Sequence, residues 1–121
     1  MNVQRSTSSS EYRHGIQLFN EGQFFEAHEV LEDVWRAAPI PEKKFLQGLT
    51  QLAVAFHHYS TGNTVGCRSV MARAIRNLSD YPEGLLNMRT QEIIEAVAPC
   101  QLALEESRPL PQFPKLKIHH D

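Results

Sequence analysis

The run Glu26-Ala27-His28-Glu29-Val30-Leu31-Glu32-Asp33-Val34-Trp35 gathers one imidazole and four carboxylates into ten residues. On a helix, His28 and Glu32 stand at i and i+4, close enough to share a hydrogen bond or to offer two ligands to one metal ion. Glu29 projects further round and reaches the same pocket only under the cover of a neighbouring helix. Further along, Gln51 and His58 lie on one face of a second candidate helix, with His57 at that face's edge. Three chemistries follow if these groups converge. A satisfied buried hydrogen-bond network would fix helix register, because buried polar groups need partners. An acid–base site would use His28 or His58 as proton carrier and Glu32 to orient it. A metal site would use the same donors, but HExxH is missing, and so is the Glu-x-x-His pair of di-iron bundles. No catalytic residue, metal ligand or cofactor is assigned on this ground.

Helices must position those side chains, and the periodicity supplies five. Ser8, Ser9 and Ser10 with Glu11 offer a capped start for a helix over Ser10–Glu21, with Tyr12, Ile16 and Phe19 on one side and Gly22 as its stop. Phe24, Ala27, Leu31, Val34 and Trp35 form one apolar stripe of a helix over Phe24–Ala37, and His28 falls inside it. Phe25 and Val30 lie outside that stripe and hint at a second contact surface, for the C-terminal tail or another subunit. Pro41 opens a third helix to Ser60. From Phe45 through Cys67 not one charged side chain occurs, so this helix is expected at the centre, covered on more than one side. Asn63-Thr64 starts a fourth helix through Leu78, with Arg68, Arg73 and Arg76 as a solvated basic edge. Thr90 is the expected cap of a fifth, to about Ser107, kinked or split at Pro99. No alternating strand pattern of useful length appears. The expected fold is all-α, about five helices stacked as hairpins around the uncharged one.

A shift of 40 residues places Ile16, Phe19 and Gly22 on Phe56, Tyr59 and Gly62, and Ala27 on Cys67. Two copies of a helix–glycine turn–helix unit fall short of a solenoid. Residues 1–9 read as a disordered polar tail, 10–107 as one domain, and 108–121 as an extended Pro-rich tail. Its Leu110, Phe113, Leu116 and Ile118 are placed to lie across the helices. At 121 residues the chain suits a single core. Twelve Lys+Arg against fourteen Asp+Glu give no electrostatic footprint for nucleic acid. No apolar run is long enough for a membrane span. Cys67 and Cys100 sit in apolar patterns and read as core residues, not nucleophiles. A cytoplasmic protein is expected, with a homo-oligomeric or protein partner open.

The string Glu26-Ala27-His28-Glu29-x-x-Glu32-x-x-Trp35, with Leu46-Gln47-Gly48-Leu49-x-Gln51-x-Ala53 after it, resembles the prokaryotic family called domain of unknown function 309. The resemblance spans about Tyr12 to Leu78, with Thr50 where an aliphatic residue is usual. It implies a compact multihelical domain in prokaryotic cytosol and carries no assigned activity. Its motif positions make Asn20, Glu26, His28, Glu29, Glu32, Trp35, Gln51 and His58 the candidates for a polar network or binding site. The expected function is a binding or interaction domain with a buried His/Glu/Gln site between the second and third helices. The alternative is a small hydrolase-like enzyme, acid–base or metal-dependent, using His28, Glu29, Glu32 and His58.

Overall fold

The structure, a computed structural model, describes residues 10–120. The expected tail over 1–9, with the Ser8 and Ser9 part of the first cap, lies outside the described residues, as does Asp121. Five helices follow one another: α1 (Ser10–Asn20), α2 (Phe24–Ala37), α3 (Ile40–Ser60), α4 (Thr64–Ser79) and α5 (Thr90–Glu105). No strand occurs among the described residues; one isolated bridge joins Leu85 and Met88. The fold is all-α.

The α1–α2 and α3–α4 hairpins turn in the same way. Gly22 and Gly62 sit at φ 82° and 86°, the left-handed region that glycine enters without strain. In each, the next residue's amide reaches back to a carbonyl five positions earlier, Gln23 to Leu18 at 2.9 Å and Asn63 to His58 at 2.8 Å. The repeat read from the sequence is therefore a repeat of turn geometry. The end of α5 uses Ser107 instead, at φ 55°, with Arg108 N–H bonded to the Ala103 carbonyl.

α3 runs between α2 and α4, and its Phe45, Leu46, Leu49, Leu52, Ala53, Ala55 and Phe56 are fully buried. Its missing charges are explained by that double cover. Two glycines inside helices permit the close packing. A Cβ on Gly15 of α1 would come within 2.7 Å of the Leu31 side chain, and one on Gly48 of α3 within 2.8 Å of Leu78. Lys43 at the start of α3 closes the end of α2, its Nζ donating to the carbonyls of Trp35 and Arg36 at 3.1 and 2.8 Å. A cation suits that position because carbonyls at a helix C-terminus lack partners and carry partial negative charge.

α5 departs from expectation at Thr90 and runs unsplit through Pro99. Thr90 does not cap it: Arg89 precedes the first turn, and the Thr90 hydroxyl donates to the Tyr81 carbonyl, holding the helix to the preceding turn. Pro99 lies inside α5 without splitting it, on the exposed side where the carbonyl it leaves unpaired meets water. Between α4 and α5, Leu86 and Asn87 both take left-handed backbone, at φ 55° and 60°. Such a turn suits asparagine and strains leucine. Leu86 is held there by burial of its side chain and by the Tyr12 hydroxyl, which donates to its carbonyl at 2.9 Å.

Past Arg108 the chain runs extended to His120, back across α3, α1 and the start of α2. Pro114 and Leu116 are buried, and Leu110 and Ile118 pack on the core. This strap ends at the start of α5, where the His119 amide donates to the Asn87 carbonyl of the preceding turn and its ring meets Glu92 of the helix, both at 2.7 Å.

Candidate functional site

The eight motif side chains do not converge on one buried centre. The expectation that His28 tucks into apolar packing is corrected by its position on α2. Taking Phe24, Ala27, Leu31 and Val34 as the buried arc, His28 stands about 80° from its centre at 100° per residue. That is the shoulder of the helix, and the side chain stays 28% exposed. Val30 occupies the opposite shoulder and faces Gly15 of α1, so it is spoken for within the fold.

His28 and Glu32 are neighbours, yet Nε2 to Oε1 is 3.9 Å, beyond a hydrogen bond. Glu32 is shared with Arg36, whose guanidinium stands 3.3 Å from its other oxygen. Glu26 and Glu29 point to solvent. The backbone carbonyl of Trp35 takes the Lys43 ammonium, and its half-buried ring packs on the core.

The other three candidates lie elsewhere. Gln51 turns to α4, its Oε1 accepting from Asn77 Nδ2 at 2.8 Å, a bond that ties α3 to α4. His58 stands beside Asn63 in the turn after α3, with Nδ1 3.5 Å from Nδ2. Asn20, at the end of α1, spends both halves of its amide on the strap: Nδ2 donates to the Leu116 carbonyl at 2.8 Å and Oδ1 accepts the Leu116 N–H at 2.7 Å. Among the described residues, no three His, Cys, Asp or Glu side chains lie where they could hold a metal ion together.

What α2 and α3 do bring together at the surface is Phe25, His28 and His57. The Phe25 ring lies 5.3 Å from the His57 ring and 6.1 Å from that of His28, and Phe25 is 48% exposed. His57, not His58, is the α3 imidazole that faces α2. Phe25 already stood outside the apolar stripe in the sequence, which was the available signal for this patch. The thiols play no part in it. Cys67 is buried and its pKa is pushed up to about 11, first by burial and then by Cys100 beside it; burial also raises Cys100. Both stay protonated, inert core residues.

A family model described as "Domain of unknown function (DUF309)" matches residues 12–70. Over that segment the chain is similar to the DUF309 family. All eight motif residues and the Phe25–His57 contact fall inside the DUF309 segment, whereas α5 and the strap fall outside it. The chain is similar to the uncharacterized protein YpuF of Bacillus subtilis (strain 168), with 43% identity over 64 residues. That stretch is 52% of this chain and 37% of YpuF. It is also similar to an uncharacterized protein of Aquifex aeolicus (strain VF5), 33% identical over 76 residues, which are 62% of this chain and 23% of that protein. The matched stretch thus spans well under half of either relative. No helix among the described residues is long and apolar enough to cross a membrane.

Proposed function

We propose that this protein is an interaction domain whose outward α2 face docks a basic segment of a partner protein. The observation that carries the reading is Phe25, an aromatic ring left half in water between two imidazoles on an otherwise well-sealed helix pair. Aromatic residues are enriched at the centres of protein interfaces, where one face is already supported by its own chain. Along the helix, Glu29 and Glu32 follow Phe25 on the same side, with Glu26 and Asp33 on its flanks. Carboxylates around an exposed ring suit a cationic partner and repel a phosphate backbone. The buried free thiols fit a reducing cytoplasm. The acid–base alternative finds less support, since it asks for a donor and acceptor within hydrogen-bond reach and His28 and Glu32 stand apart.

Selection of a random peptide library against the purified protein tests the reading. Enriched peptides are expected to carry Lys or Arg beside an apolar anchor, to bind at least tenfold more weakly to Phe25→Ala, and to weaken as salt rises. Peptides that bind wild type and Phe25→Ala equally would remove the α2 face as the site.

A further inference from the structure

The strap is held as a bound peptide is held. Asn20 reads the main chain of Leu116 through both its donor and its acceptor, as a neighbouring β-strand would. Six residues earlier, the Tyr59 hydroxyl accepts the Leu110 N–H at 3.1 Å. Midway, Phe113 lies against Phe24, Phe56 and Tyr59 with ring centroids 5.3, 5.4 and 6.2 Å away. Two main-chain clamps with an aromatic pocket between them suit an extended segment with an aromatic residue midway, and burial of the Leu116 and Leu110 side chains favours an apolar residue at each clamp. Leu110-Pro111-Gln112-Phe113-Pro114-Lys115-Leu116 satisfies that pattern, and its prolines favour the extended form before binding.

Three further facts separate the groove from its occupant. Asn20, Phe24, Phe56 and Tyr59 all belong to the DUF309 segment, whereas the strap lies outside the matched residues. The strap fits incompletely: Phe113 remains 37% exposed. A cleft of about 210 Å³ stays open between it and Phe19, Gly22 and Phe24. Finally, the clamps contact backbone, so they tolerate another sequence of the same shape. We infer that the groove at the junction of α1, α2 and α3 is a receptor for an extended Leu-x-x-Phe-x-x-Leu segment of a partner protein, with the chain's own strap as the resident competitor. A tethered competitor acts at an effective concentration on the order of millimolar, so it sets a threshold that an incoming segment must exceed.

The test uses the full chain and a fluorescein-labelled peptide with the sequence of residues 108–121. Leu116→Asp puts a charge where the strap is buried and releases it. The peptide is expected to bind this variant saturably in the micromolar range, at least tenfold tighter than it binds wild type. Adding Asn20→Asp, which removes the donor to the Leu116 carbonyl, should abolish binding. A helical Leu116→Asp chain that ignores the peptide, or one that binds equally well with Asn20→Asp, overturns the proposal. So does a concentration-dependent dimer in sedimentation in place of peptide binding, which assigns the groove to a second copy. Should Leu116→Asp fail to fold, millimolar unlabelled peptide is added to isotope-labelled wild type. Movement of the Leu116 amide resonance to a disordered position supports displacement, and its staying put at millimolar peptide overturns it.

Discussion

Phe24 and Phe25 are consecutive residues of one helix, and they open two different surfaces. Phe24 is 4% exposed and stands at the crossing of Phe19, Phe56 and Phe113, where the strap closes over it. Phe25 is 48% exposed and touches the imidazoles of His28 and His57. Each face has an aromatic centre with polar groups beside it. The Phe24 face is covered by a segment of its own chain, and its polar residue, Asn20, has both amide groups engaged. The Phe25 face has no such cover among the described residues, and its polar residues are loosely paired or point to water. The difference teaches that a polar residue in a motif earns a structural role by meeting unpaired backbone, as Asn20 does. His28 meets none.

The comparison breaks most sharply at the two phenylalanines. Phe24→Ala is expected to destabilise the fold by about 3–5 kcal/mol, the range for emptying a buried aromatic site. Phe25→Ala should stay within about 0.5 kcal/mol, as surface changes do. Urea denaturation of both decides it, and similar losses would mean that the Phe25 face is covered in solution. A middle-sized effect belongs to Asn20. Asn20→Ala leaves the Leu116 N–H and carbonyl unpartnered under partial burial, at a cost of roughly 1–3 kcal/mol. Amide exchange should quicken along the strap first, at Leu116 and then Leu110, while α3 keeps its protection. A uniform loss across the domain would show that the strap is an inseparable part of the core.

Much of this architecture was legible in the residues. The charge-free stretch from Phe45 to Cys67 announced a helix covered on two sides, and Gly22 and Gly62 marked turns that close identically. The polar site was not legible, for a geometric reason. Periodicity places His28 near the apolar arc of α2, but a shoulder about 80° from its centre is buried or exposed according to what the next helix puts there. α3 puts His57 and the Phe25 contact there, and one residue's difference in register separates His57 from His58. Asn20 posed the opposite problem. Its partner lies 96 positions away in a segment without helical periodicity, so nothing local could join them. Gly15 and Gly48 hold a further lesson: hydrophobic patterns pass over a glycine inside a helix, though here each marks where two helices nearly touch.

Smaller effects sharpen the contrast further. His28→Ala removes a loose contact of a partly buried side chain, and its stability cost should not exceed about 1 kcal/mol, the upper end for an i,i+4 pair. A loss of 2 kcal/mol or more would restore the imidazole to a structural network.

The smallest expected effect lies at the far end of the strap. Glu92 is held below the usual carboxylate range, first by its hydrogen bond to His119 and then by the charges of His119, Arg89 and Lys117. A carboxyl depressed in the folded state favours folding above its ordinary pKa of 4.5 and loses that contribution as pH falls through the folded value. The contact should therefore hold at neutral pH and let go in acid, below about pH 4.5. Because Glu92 is half exposed, the response is confined to the strap's tip. The His119 amide, bonded to the Asn87 carbonyl, is expected to exchange faster there as pH falls, relative to its intrinsic rate, with Leu116 unchanged. Glu92→Gln should remove this acid response without moving the melting temperature. If Leu116 opens in step with His119, the strap lifts as one unit and the covered face is only as secure as its outermost ion pair.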